Sequence, residues 1–260
     1  MTGKINIISY FKIIAISLLL SPVIACQNNS PSSDQLRDLD KQLISSIEKN
    51  DVPEIRKITK SRLYLKGKYM GSNTPLELSI CKGSIDASIA ILDALDDING
   101  PLERGMTPLA MAAVCNRTDV IEILLKRDAD PNRRMVDGSS ALFLSAQENS
   151  VEAAKMIIDA EADLNATDSL GWTVMLIASQ NDNAELIKII HEKGIGVNDV
   201  IAGVTPLYIA TSNQSVSAVK MLVDLGADPD KTGKLDESPI EMARHEGLTD
   251  IENILLKGRK

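Results

Sequence analysis

The sequence predicts an all-α solenoid of about seven helix-turn-helix units, and three observations predict it. A Ser/Thr-Pro/Ala/Val-aliphatic tripeptide recurs at Thr74-Pro75-Leu76, Thr107-Pro108-Leu109, Ser140-Ala141-Leu142, Thr173-Val174-Met175, Thr205-Pro206-Leu207 and Ser238-Pro239-Ile240, with spacings of 33, 33, 33, 32 and 33. A fixed period in this range marks stacked repeats. Within the period, apolar residues fall at helical spacing on two short segments. Finally, 44% of the 260 residues are hydrophobic, yet only two Phe, four Tyr and one Trp are present. The core must therefore be built from Leu, Ile, Val, Met and Ala, a palette that suits helices.

The chain opens on residues 1–25, which hold Lys4, Lys12, no acid, and the apolar run Ile13 to Leu20 ahead of Ser21-Pro22-Val23-Ile24-Ala25. That is the layout of a secretory signal peptide. Its uncharged stretch from Ile13 to Ala25 is 13 residues, about 20 Å of helix against a hydrocarbon core of about 30 Å, which argues against a permanent membrane span. Val23-Ile24-Ala25-Cys26 resembles the lipobox of bacterial lipoproteins, with an aliphatic residue three before the cysteine and a small one just before it. The resemblance implies cleavage before Cys26 and acylation of its thiol and its new amino terminus, and two or more acyl chains hold a protein firmly on a bilayer. An ordinary signal peptide cut after Ala25, with Cys26 a free or disulfide-bonded thiol, is the alternative. Gln27 stands where, by the same resemblance, Asp would favour the inner membrane. The expected location is therefore the outer membrane facing the periplasm, with the inner membrane or a soluble periplasmic state as alternatives. Residues 26–34 read as the lipidated cysteine and a polar tether, whose stretch from Gln27 to Ser33 reaches at most about 24 Å. Loss of residues 1–25 removes two lysines, so 26 basic residues face 36 acidic ones and the net charge moves from −8 to −10.

Residues 35–260 form the repeat domain. In the first unit Asp34 can cap a helix striped by Leu36, Leu39, Leu43, Ile44 and Ile47, followed by a second helix bearing Val52, Ile55 and Ile58. This unit lacks the tripeptide, as a terminal capping unit can. In the later units the Ser or Thr hydroxyl caps the first helix, and Pro at the next position lacks an amide that would have stayed unpaired anyway. In the third unit Leu109, Ala112 and Ala113 share a face of a short helix, and Val120, Ile121, Leu124 and Leu125 make the second helix amphipathic. Asp130-Pro131-Asn132 ends that helix and opens a loop running to Gly138. The last unit, Ser238 to Lys260, closes on Lys257, Arg259 and Lys260, which suit the negative end of a helix dipole.

The unit resembles the ankyrin repeat. Gly-x-Thr-Pro-Leu stands at Gly105 to Leu109 and Gly203 to Leu207, Ala-Asp-Pro-Asn at Ala129 to Asn132, Ala-Asp-Leu-Asn at Ala162 to Asn165, and Gly-Ala-Asp-Pro at Gly226 to Pro229. The His usual after Thr-Pro-Leu is replaced by Glu77, Ala110, Phe143, Leu176, Tyr208 and Glu241. The inter-repeat hydrogen bonds attributed to that His are thus missing, with Phe143 and Tyr208 expected to compensate by packing. The fifth unit is one residue short, and a distortion is expected near Gly196.

A net charge of −8 without a basic block argues against nucleic acid as partner. Two His and three Cys leave little for metal chemistry, no cofactor motif is present, and no catalytic constellation accompanies His191 or His245. Asp130, Asp163 and Asp228 follow the repeat period, which a turn role explains. Cys81 and Cys115 lie one repeat apart, and in a periplasm such a pair can be oxidised; neighbouring helices are about 10 Å apart and a disulfide needs α-carbons within about 7 Å, so two free thiols are the favoured expectation and a disulfide the alternative. What remains is binding. The ankyrin resemblance implies a monomeric protein-protein interaction module whose loop tips and concave helical edge contact a protein partner. Carried onto this chain, the contact residues are Glu103, Arg104, Met106, Val136, Asp137, Ser139, Leu170, Trp172, Ile201 and Val204, with Val114, Gln147, Gln180, Asn181 and Asn213 on the helical side. Met106, Trp172 and Val204 share a register and would form an apolar stripe, unless Trp172 folds onto its neighbouring loop. Arg104, Arg133 and Arg134 add a cationic patch. Anchored through lipid, such a module would act as a scaffold or as an inhibitor, an immunity protein against a secreted toxin being the specific version; an envelope structural scaffold is the alternative, and an enzyme is the least supported class.

Overall fold

A hydroxyl caps the first helix in four of the later repeats, while Thr173, at the same position, makes no cap bond and its buried Oγ1 has no partner among the described residues. The computed structural model describes residues 33–60, 75–100 and 105–259, and in it the side chain of Thr107 accepts the Ala110 amide at 3.1 Å, Ser140 that of Phe143 at 3.3 Å, and Thr205 that of Tyr208 at 3.1 Å. Ser238 goes further, exchanging bonds with Glu241 in a capping box. The leader, Cys26, residues 26–32 of the tether, Thr74, Glu103 and Arg104 lie outside the described residues.

Fourteen helices are present among those residues, arranged as seven pairs. They are α1 (Ser33–Glu48) with α2 (Val52–Thr59), α3 (Pro75–Cys81) with α4 (Ile85–Leu92), α5 (Pro108–Val114) with α6 (Thr118–Lys126), and α7 (Ala141–Gln147) with α8 (Val151–Asp159). Then follow α9 (Val174–Gln180) with α10 (Ala184–Glu192), α11 (Pro206–Ser212) with α12 (Val216–Asp224), and α13 (Pro239–His245) with α14 (Thr249–Gly258). First helices stack on first helices and second on second, giving two layers along the chain. The helix α1 takes in Ser33 and Asp34.

From α5 onward each first helix is seven residues long. The stop is a residue in left-handed conformation just past the helix: Asn116 (φ 50°), Asn149 (56°), Asp182 (57°), Gln214 (57°) and Gly247 (68°). Asn and Asp tolerate that region better than most residues. At Asn116 the turn lets the amides of Asn116 and Arg117 reach the carbonyls of Ala113 and Ala112, so the helix end is satisfied.

Two-turn helices have no independent stability, and burial supplies it. Val120, Ile121 and Leu124 are fully buried on α6, as are Ala112 and Ala113 on α5, and burying a Leu or Ile contributes about 1.5–3 kcal/mol. Small side chains let the first-helix layer close up. Where that layer carries a hydroxyl, the helix absorbs it: Ser79 donates to Leu76 O (2.8 Å), Ser145 to Leu142 O (2.7 Å) and Ser179 to Met175 O (2.8 Å). Thr211 stands one repeat on from Ser179, fully buried, and its Oγ1 has no partner among the described residues.

Two expectations are corrected. Cys81 and Cys115 form a disulfide, with α-carbons 5.2 Å apart. The expected obstacle, an axis spacing of about 10 Å, is not the distance between α-carbons: these lie about 2.3 Å off each axis, so facing ones approach to about 5.4 Å. The missing residue of the fifth unit is also displaced from its expected place. Asn165 and Asn198 keep the spacing of 33, and the shortfall lies between Asn198 and Thr205, where Ile201 and Val204 close a hairpin on Ala202 (φ 54°) and Gly203 (φ 90°). Positive φ at both central residues is the tight two-residue turn that matches strand twist.

Candidate functional site

Between each second helix and the next first helix the chain makes a finger. Its base is an Asx turn. The Asp97, Asp130, Asp163 and Asp228 carboxylates each accept the amide two residues on, at 2.8–2.9 Å. The repeated acids are therefore occupied as turn formers. The next side chain ties finger to finger: Asn99 Oδ1 accepts Asp130 N at 2.7 Å and its Nδ2 donates to Asp128 O. Asn132 does the same to Asp163 N (2.7 Å) and Glu161 O (3.3 Å), and Asn198 to Asp228 N (2.8 Å) and Gly226 O (2.9 Å). These amides supply inter-repeat hydrogen bonds in the absence of the expected His. On the helical side Asn181 Nδ2 reaches Ala146 O and Gln147 O, and Arg117 reaches Ile80 O and Gly83 O. Asn181 is thus spent on joining repeats. Asn213 donates to Ile209 O within its own repeat, while Gln147 lies exposed and Val114 and Gln180 half-buried.

Further out the fingers pair through backbone. Met135 N donates to Ser139 O at 2.9 Å, Asp168 N to Trp172 O at 3.0 Å, and Ile201 and Val204 exchange bonds at 2.9 and 3.0 Å. Neighbouring fingers are bonded as well, by Ser169 N to Asp137 O (2.8 Å) and Lys234 N to Gly203 O (2.7 Å). The approach is so close that a β-carbon at Gly233 would stand 2.0 Å from Gly203 O, which leaves Gly the only tenant. Where Phe143 and Tyr208 replace His, Phe143 is 5% exposed and packs as expected. Tyr208 also points its hydroxyl at Glu237 Oε2 (3.4 Å) in the next finger; burial, and then the Glu237 charge, push its pKa up.

The finger tips expose apolar side chains. Val136 is 89% exposed, Leu170 57% and Leu235 58%, with Val200 at 47%. Leu235 and Val200 were missed by the sequence reading, although Leu235 stands three before Ser238 as Leu170 stands three before Thr173. The expected stripe of Met106, Trp172 and Val204 is different in kind: all three are half-buried, and Met106 and Trp172 pack against the core. The Trp172 amide donates to Asp168 Oδ1 at 2.8 Å, holding the finger's base. Ser139 shares that register and is 3% exposed, so as a contact residue it is corrected: it offers a partner no surface. Asp137 accepts the Ser139 amide at 3.0 Å, and Ile201 is half-buried in its hairpin. Arg134 donates to Thr167 O, and Arg133 is exposed.

The model for ankyrin repeats matches three times, over residues 43–135, 76–168 and 142–233. The chain belongs to the ankyrin-repeat family. Comparison with curated proteins returned no match. Ankyrin repeats are protein-protein interaction modules, and the two-layer stack with its bonded finger row is the ankyrin architecture. His191 is half-buried and its Nδ1 lies 3.0 Å from Ile195 O; His245 is exposed, 3.7 Å from Glu237. No cluster of three or more metal-ligating side chains is found among the described residues.

Proposed function

We infer that this ankyrin protein binds a protein partner through its finger row, at the surface of a cell envelope to which Cys26 anchors it. The observation that carries the binding reading is the row of exposed apolar tips, Val136, Leu170 and Leu235, presented on fingers that hydrogen bonds hold to one another. Exposed apolar groups on a rigid frame lose little conformational entropy on binding. The envelope reading is supported by the Val23-Ile24-Ala25-Cys26 sequence and by the Cys81–Cys115 disulfide, a bond that persists in oxidising compartments and is rare in reducing ones. Acting there, the row would cover its partner's surface, as an inhibitor of a secreted toxin does.

The test of binding is quantitative affinity capture from envelope extract, comparing the native protein with Val136→Asp/Leu170→Asp/Leu235→Asp. A partner enriched by the native chain and lost with the triple variant, at unchanged melting temperature, is the expected result; equal capture by both would refute the finger row as the site. The anchor is tested separately. Cys26→Ser should abolish lipid modification and membrane partition, and a variant recovered in the membrane at normal mass would refute anchoring.

A further inference from the structure

The seven helix pairs are not joined equally. Among the described helices, α3 packs on α5 more sparsely than any other neighbouring first helices, and α4 on α6 more sparsely than any other second helices. Among the described helices the joint between the second and third pairs is therefore the one with the sparsest helix-to-helix contact. It is also where the disulfide lies, joining Cys81, the last residue of α3, to Cys115, the residue that caps α5. Polar ties across it include Arg117, bonded to Ile80 O and Gly83 O, the surface ion pair of Arg127 with Asp93, and the Asn99 bridge. In a stack where each unit contacts only its neighbours, the weakest interface decides where the array divides.

We propose that the Cys81–Cys115 bridge is a redox-controlled clasp: oxidised, it makes α1–α4 part of the solenoid, and reduced, it lets those two pairs open while α7–α14 stay folded. Both cysteines are half-buried rather than sealed in the core, within reach of a thiol reagent. Closure removes one proton from each thiol and two electrons from the pair. A thiolate of one cysteine attacks the disulfide of a protein or small-molecule disulfide donor and expels one donor thiolate; the second cysteine's thiolate then attacks the mixed disulfide and expels the other. The donor takes up the two electrons and two protons and leaves as a dithiol, or as two thiols where its disulfide joined separate molecules, and an excess of a dithiol reductant runs the exchange backward. The exposed tips at Val136, Leu170 and Leu235 all lie on the C-terminal side of the joint, so the clasp sets the length of the array and leaves the finger row standing. The inference is independent of the binding function.

Hydrogen exchange followed by mass spectrometry on the full chain tests it in three states: air-oxidised, incubated with dithiothreitol, and Cys81→Ser/Cys115→Ser. Expected is a rise in exchange of about tenfold or more in peptides from α1–α4 on reduction, matched by the double variant, with peptides from α7–α14 unchanged. Unchanged exchange throughout would overturn the proposal, as would an equal rise in both halves. So would alkylation mapping that finds both thiols free in the oxidised sample. Reduction of the already folded native chain gives the answer even where the double variant does not accumulate.

Discussion

Thr205 and Thr211 stand at opposite ends of α11, both buried, and the same substitution should move stability in opposite directions. Thr205 is 2% exposed and its hydroxyl accepts the Tyr208 amide at 3.1 Å. Valine there keeps the shape and leaves that amide unpaired, a loss of about 1 kcal/mol for a helix cap. Thr211 is fully buried and its Oγ1 has no partner among the described residues, whereas the Ser179 hydroxyl one repeat earlier is bonded. A desolvated, unpaired hydroxyl costs about 1–3 kcal/mol. Valine fits the same space with a side chain that prefers one rotamer in a helix, and its helix propensity is close to that of threonine. Taking the lower end of the range, Thr211→Val gains about 1 kcal/mol. The two variants then differ by about 2 kcal/mol, roughly 30-fold in the unfolding equilibrium. The assay is urea denaturation followed by far-UV circular dichroism, with the slope compared before the midpoints. If Thr211→Val loses stability, or the two midpoints move the same way, the assignment of an orphan hydroxyl at Thr211 is wrong.

Ala202→Asn should stabilise by about 0.5–1 kcal/mol, since Asn accepts the left-handed conformation that Ala202 holds at φ 54° more readily than Ala does; a lower denaturation midpoint would count against the two-residue turn. Asn132→Ala removes both bonds to the next finger and should cost about 1 kcal/mol, with faster amide exchange at Asp163. The hydrogen bond from Arg117 holds Asp119 below the usual carboxylate range, that from Arg259 does the same for Asp230, and the Ser238 amide lowers Glu241. Depressed carboxylates contribute stability above their ordinary pKa of about 4 and lose it as pH falls through the depressed values. Thermal melts should therefore be flat down to about pH 5 and fall below about pH 4, and Asp119→Asn should make that fall shallower.

The period of the Thr-Pro-Leu signal placed six of the helix pairs and the apolar stripe the first, because caps and apolar spacing are local and each is visible in a few residues. Val120, Ile121 and Leu124 were legible as core for the same reason. What was hidden depends on distances between repeats. The disulfide turned on the difference between an axis spacing and an α-carbon spacing, which no single repeat displays. Ser139 reads as a surface serine by type, and only its 3% exposure in the stacked fingers shows that it is buried. Leu235 was legible in register but sits beside Asp236 where other fingers carry Gly, which masked the equivalence. The loss of one residue was correctly counted and wrongly located, since Gly194 to Asn198 looks irregular while the hairpin at Ile201 to Val204 looks ordinary.

That hairpin matters for whatever docks on the row. A stack of equivalent fingers has translational symmetry: a partner could shift along by one repeat and meet nearly the same surface. Here one finger of the series turns on Ala202-Gly203 alone, one residue shorter than its neighbours. Displaced by one repeat, a partner fitted to the tips at Leu170 and Leu235 would set the wrong contact against the shortened turn. A single deletion thus converts a periodic edge into one with a unique reading frame.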